Sequence, residues 1–225
     1  MGLGSCETAQ IECFRASTTI VSEDRDVKDF NGVIFNDVGD LIVSEGPTYS
    51  VNLEGPENVV ELTQTTLENG LLVISTSSCF NGDYDFVIRV TAPNLEYLAL
   101  AGIGKIETVG NIEGNYLQVD IFGIGQIEAN IFVDTLRTTV SGTAEIDYGG
   151  IIDHHSFNSS GDFTMNAFPL ETESTTLSFS GTGESFITAY QKLVVRLQGT
   201  GNVYYQGNPE IESEITGEGN IIDSN

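Results

Sequence analysis

A short glycine pattern returns seven times between Leu95 and Asp223, and it constrains the fold of this 225-residue chain more than any other feature. The copies are anchored at Gly102, Gly123, Gly142, Gly161, Gly181, Gly199 and Gly217, with intervals of 21, 19, 19, 20, 18 and 18 residues. A period near 20 with small slips is what stacked structural repeats leave in a sequence. Two and four residues before each glycine the side chain is mostly apolar (Leu98 and Leu100, Val119 and Ile121, Val195 and Leu197), and the residue between them is mostly polar. That alternation predicts a strand with one face buried and one face wet.

Two residues after the anchor the side chain is small in six of the seven copies, Phe163 being the exception. Glycine at alternate sites predicts a corner where φ turns positive or backbones approach closely. Four after the anchor, Ile106, Ile127, Ile146, Met165, Val203 and Ile221 predict a second inward strand. The fifth copy has Ser185 there, and a one-residue slip that turns Phe186 inward is the expectation. One such unit has too few apolar groups for its own core. Stacking in register solves this, because like side chains then form continuous interior ladders. The expected fold is all-β: a right-handed parallel β-helix, a three-sided β-solenoid with coils of about 18–21 residues. A β-sandwich also has short recurring strands, but it does not need the same glycine pair at every turn.

Upstream of the repeats the pattern changes. Residues 1–29 read as a polar N-terminal arm, and residues 30–94 as a β section of another style, capping one end of a 95–225 solenoid and continuous with it. Short apolar runs such as Val33-Ile34-Phe35, Leu41-Ile42-Val43 and Leu71-Leu72-Val73-Ile74 are bounded by Gly, Asp and Pro. Asn69-Gly70 predicts a tight hairpin, and Pro56–Leu62 reads as a strand entry. An antiparallel or irregular cap is expected, since an open solenoid end exposes apolar ladders and unpaired strand edges.

The chain carries 33 acidic against 8 basic residues, a net charge of −25. Such a surface repels phosphate backbones, which argues against nucleic acid as a partner. Anionic membranes and anionic polysaccharides are disfavoured in the same way unless divalent cations bridge. Stacked acidic side chains make Ca2+ the one ion to consider, although no repeat contains the calcium-binding nonapeptide of β-rolls.

Three cysteines need an explanation. Leu3-Gly4-Ser5-Cys6 is similar to the end of a bacterial lipoprotein signal, which makes Cys6 a lipidation candidate. Cys13 and Cys79 then remain as disulfide candidates, with a Cys6–Cys13 bridge or three free thiols as the alternatives.

At Val90-Thr-Ala-Pro-Asn-Leu-Glu-Tyr-Leu-Ala-Leu-Ala-Gly-Ile-Gly the sequence resembles the putative auto-transporter adhesin family with a head GIN domain. An apolar strand, Ala-Pro-x-Leu, a strand into Gly-x-Gly and repeated Gly-x-Gly-x-apolar units carry the resemblance. It extends to Gly199-Thr-Gly-Asn-Val-Tyr and Gly217-Glu-Gly-Asn-Ile, about Phe30 to Ile222. The resemblance implies a β-helix-like fold and a surface or envelope location, and it transfers no catalytic residues.

Catalytic chemistry is thinly represented. A polysaccharide-cleaving β-helix enzyme needs clustered carboxylates and a base. Of the eight basic residues only Arg137 and Arg196 fall on comparable repeat strands. His154 and His155, the only histidines, read as a surface loop between coils. Tyr190, Tyr204 and Tyr205 are the aromatic ligand-contact candidates, with Tyr148 near them in sequence. The expectation is a non-enzymatic, surface-exposed adhesin whose partner is a glycan, a matrix protein or another surface component, touching a membrane only through a lipid anchor. A carbohydrate-active β-helix enzyme and a structural spacer are the alternatives.

Overall fold

The computed structural model describes residues 13–225. The first half comprises β1 (Phe14–Arg15), β2 (Ile20–Asp24), β3 (Gly32–Asn36), β4 (Val38–Glu45), β5 (Ser50–Pro56), α1 (Glu57–Leu62), β6 (Thr63–Glu68), β7 (Leu71–Thr76), β8 (Phe80–Asn81) and β9 (Val87–Ala92). The repeats follow as β10 (Tyr97–Leu100), β11 (Ile103–Ile121), β12 (Ile124–Val140), β13 (Thr143–Ser159), β14 (Asp162–Phe179) and β15 (Thr182–Leu197). The chain ends in β16 (Thr200–Gln206), β17 (Glu210–Ile215) and β18 (Ile221–Asp223).

Successive coils stack as parallel strands into a β-solenoid of about seven turns. Register is kept residue by residue: Leu98 pairs with Val119, Val119 with Thr138, Thr138 with Phe157, and Phe157 with Leu177. After the glycine, Ile106, Ile127, Ile146 and Met165 form a second ladder, all fully buried. Each such side chain contributes on the order of 2 kcal/mol by leaving water. The long strands bend at points where register shifts, as between Glu107 and Asn111 and between Asp147 and Gly150.

The anchor glycines owe their period to backbone contact. A Cβ built at Gly123 would run into the carbonyl oxygen of Gly102; at Gly142 it would meet that of Gly123, and at Gly161 that of Gly142. The same relation holds at Gly181, Gly199 and Gly217. The corner stays hydrogen-bonded across coils: Ser141 and Gly142 both donate to the Ile121 carbonyl (2.9 and 3.3 Å), and Thr143 donates to Gly123 (3.0 Å). At the second glycine a positive φ is added, +154° at Gly104 and +151° at Gly201. Phe163 replaces this glycine in the fourth coil, and its ring fills the space that a side chain at Gly183 would need.

Stacking starts upstream of Leu95. Val33 of β3 continues the ladder of Leu98, Leu72 of β7 continues that of Val33, and Leu41 and Ile88 extend the ladder of Ile106. The coil of β3 and β4 therefore lies between the β7–β9 coil and the first glycine repeat, out of sequence order. Antiparallel strands occupy the rim: β5 lies on β9, β6 on β7 and β2 on β5. The β6–β7 hairpin turns at Asn69 (φ 52°) and Gly70 (φ 81°), which matches the Asn-Gly signal.

Three local expectations are corrected. Glu57–Leu62 is a helical turn and not a strand entry. Pro56 presets φ at its N-cap, Val59 and Val60 are buried, and the Thr63 hydroxyl donates to the Val59 carbonyl at 2.8 Å. His154 and His155 lie within β13 and not in a loop, with alternate sidedness: His154 is exposed and His155 is buried.

The slip at the fifth repeat does not occur. Ser185 pairs in register with Met165 and Val203, points inward and is fully buried, while Phe186 faces outward. The Ser185 hydroxyl has no hydrogen-bond partner among the described residues. Pairing of most of β15 with the coils on both sides outweighs one unsatisfied hydroxyl, whose burial costs about 1–3 kcal/mol. Ser185→Ala is expected to stabilise the fold by about 1 kcal/mol in urea denaturation. A loss of stability would show that the hydroxyl is satisfied after all.

Candidate functional site

Every coil presents outward side chains at alternate positions, and register stacks them into columns. On the strand after the glycine, Glu107, Glu128 and Asp147 are successive members of one column. Carboxylates about 4.8 Å apart repel, and each is compensated. The Lys105 ammonium donates to Glu107 and Glu128 at 2.8 Å each, and Gln126 (3.0 Å) and Asn166 (2.9 Å) donate to Asp147. Glu107 first, then Glu128, raises the Lys105 pKa. Lys105 is thus a fixed cation tying two coils together, the opposite of what a general base requires.

Below the acids the column becomes aromatic. Phe186 and Tyr204 stack with centroids 4.8 Å apart and planes 7° from parallel, and Phe168 packs edge-on to Phe186 at 5.6 Å. Of the sequence-derived tyrosines, Tyr204 therefore has one ring face covered. Tyr205 is half-buried against the core, and burial, then the Asp223 carboxylate, raises its pKa. Tyr190 is 51% exposed. The three do not form one platform. Tyr148 is buried beside His155 (6.2 Å between rings).

Inside the coils, the Thr138 hydroxyl lies 3.3 Å from His155 Nε2 and 3.5 Å from the Tyr148 hydroxyl. Burial lowers the His155 pKa to about 4. Thr138, Tyr148 and His155 are all buried. Asp37, a buried acid near the cap, has its pKa raised by burial and accepts from the Val38 N–H at 2.8 Å. Among the described residues, no three of His, Cys, Asp and Glu converge as metal ligands. No helix among them is long and apolar enough to cross a membrane. Cys13 and Cys79 are joined in a disulfide, Cα atoms 4.7 Å apart, where β1 pairs with β8. Cys6 lies outside the described residues.

The glycine-cornered coils, and the sequence that makes them, match the family described as "Putative auto-transporter adhesin, head GIN domain" over residues 29–209. The chain belongs to this family. Solved structures similar to this adhesin-family chain include a putative adhesin from Bacteroides fragilis, with TM-score 0.90 and 21% identity over 94% of this chain and 100% of that one. A putative lipid binding protein from Parabacteroides distasonis aligns with TM-score 0.74 and 19% identity, over 95% and 100% of the two chains. A putative adhesin from Parabacteroides merdae aligns with TM-score 0.69 and 16% identity, over 94% and 98%. No curated protein matches the sequence. At these identities the structures establish a shared fold. The family's description is that of adhesins and not of enzymes.

Proposed function

We propose that this adhesin-family chain is a non-enzymatic protein of the bacterial envelope or surface. It binds a glycan, a matrix protein or a neighbouring surface component through the outward columns of its solenoid. The observation that carries this reading is the in-register repetition of polar side chains: Asn130 donates to Asn111 at 2.8 Å and Asn220 to Asn202 at 3.3 Å, one coil to the next. An extended ligand meets the same chemistry at each step, and linked weak contacts reinforce one another. The stacked carboxylates Glu107, Glu128 and Asp147 are engaged by Lys105, Gln126 and Asn166. The Cys13–Cys79 disulfide suits an oxidising, exported setting, and a lipid on Cys6 would provide the anchor. An unmodified Cys6 in the intact mass of natively expressed protein would remove that anchor.

The test is binding to an array of host and microbial glycans and matrix proteins, with calcium and again with chelator. Selective binding of at least one class is expected, weakened by Tyr190→Ala if the exposed tyrosine contributes. Absence of binding across the array would leave a spacer. A lipid ligand is the second reading, favoured by Val38, Ile103 and Ile124, which stack in register about half exposed with Phe122 beside them. Co-sedimentation with neutral vesicles, lost in Ile103→Ser, would support it.

A further inference from the structure

In four consecutive coils the strand before the anchor glycine presents a face unlike the rest of this acidic molecule. Its outward positions lie one, three, five and seven residues before the glycine. In the coils leading to Gly142, Gly161, Gly181 and Gly199 these sixteen positions contain no aspartate or glutamate, although the chain has 33. They hold Arg137, His154, Lys192 and Arg196; all but Val194 of the remainder are serine, threonine, asparagine or glutamine. None is buried. On the strand after the glycine, by contrast, the equivalent outward positions include Glu107, Glu128, Glu145, Asp147, Asp162 and Glu184.

Register assembles this face. Arg137 stacks over Ser156, Thr176 and Val194, and Thr139 over Asn158, Ser178 and Arg196. The two arginines are separated by three strand spacings, about 14 Å along the stack. A shallow groove of about 280 Å³ runs beside Arg196, lined by Thr139, Asn158, Ser160, Ser178, Ser180 and Arg196; Arg137 is not part of its lining and stands one outward position from Thr139 on the same strand. Neither Arg137 nor Arg196 makes an ion pair among the described residues, whereas Lys192 bonds Glu212 at 2.7 Å; at this C-terminal border the next strand carries Glu210, Glu212 and Glu214, with Glu214 in register with Arg196. At the other border Asp120 is nearly buried and accepts from Tyr97 (2.9 Å) and Gln118 (2.7 Å).

Charge and chemistry together select the occupant. Guanidinium forks pair with carboxylate or sulfate oxygens, and rows of hydroxyls and amides match a ligand covered in hydroxyls. Nucleic acid would want aromatic stacking surfaces, which this face lacks. A membrane surface gains only about 1 kcal/mol per cation. At physiological salt, charges on the other faces are screened beyond about 8 Å, so the local face governs contact with a sparsely charged chain. We propose that this face binds an acidic oligosaccharide, carboxylated or sulfated, with Arg137 and Arg196 as its anion contacts. This rests on the glycan-binding reading above and assigns its ligand class and its surface, without a bridging divalent cation.

The test uses the full chain and isothermal titration in chelator. The probes are a sulfated chondroitin oligosaccharide, its unsulfated carboxylate-only counterpart and a neutral chitin oligosaccharide. Binding of at least one acidic probe is expected, weakening with added salt, with no binding of the neutral one; the two acidic probes tell sulfate from carboxylate recognition. Arg137→Gln and Arg196→Gln should each lower affinity about tenfold, with unchanged thermal melts. Lys28→Gln, which removes an exposed cation from the N-terminal arm, should have no effect. Equal affinity for acidic and neutral probes, or full affinity in both arginine variants, overturns the proposal. Binding elsewhere on the array without the acidic probes overturns it while the adhesin reading stands; no binding at all removes both.

Discussion

Gly142→Ala is expected to destabilise the protein by about 3 kcal/mol, whereas Gly149→Ala, seven residues on, should cost less than about 1 kcal/mol. At Gly142 the added Cβ meets the carbonyl oxygens of Gly123 and Phe122, backbone atoms held in an inter-coil hydrogen-bond ladder. They can yield only if the coils separate. At Gly149 the nearest atoms are Asn130 Oδ1 at 3.2 Å and Pro169 Cβ at 3.7 Å, side-chain groups at a half-exposed site that can shift. Guanidinium unfolding of both variants makes the comparison. Equal costs would show that the anchor glycines serve chain flexibility and not backbone approach.

The second large effect is a pH dependence carried by His155. Its pKa is lowered from 6.5 to about 4 because the ring is fully enclosed, between Leu136 and Thr175 in one ladder. Above pH 6.5 the residue is neutral folded and unfolded, so the stability it allows is fully present. As pH falls from 6.5 towards 4, only the unfolded chain takes up the proton, and stability is lost; at pH 4.5 the loss is about 2.5 kcal/mol. His155→Leu places a group like its ladder neighbour Leu136 there and removes this component. The difference in unfolding free energy between the two proteins should shift by that amount between pH 7 and pH 4.5. Groups such as Asp37 titrate in both proteins and cancel. A constant difference across the range would mean that His155 is protonated within the fold.

The two residues separate what is readable along the chain from what is not. Gly142 announces itself, since its constraint repeats at each coil, and direct backbone stacking admits no Cβ at that offset. The interior ladders are legible for the same reason: alternate apolar residues at fixed distances from the glycine can only face inward. His155 gives no such signal. It occupies an inward position by alternation, but a histidine pair beside Asp153 looks like a solvated turn until neighbouring coils enclose one ring. Ser185 misleads in the opposite sense. A polar residue at an apolar offset invites a slip, and only the pairing of the whole strand with the coils on both sides holds it in place.

The basic face shows the same division. Counting back in twos from each glycine exposes the run without acids, so Lys192 and His154 could have been grouped with Arg137 and Arg196 from the sequence. Their freedom to meet a ligand could not, because it depends on Glu212 capturing Lys192 and on Asp120 being turned to Tyr97 and Gln118 across coils. By itself, the sequence determined the repeat, the glycine corners and the inward strands, because each is a local steric requirement restated every 18 to 21 residues. Only the tertiary structure decided that β3 and β4 insert between later strands, and which charges neutralise one another. Both result from contacts between coils, and a coil's neighbour in space is set by stacking and not by distance along the chain.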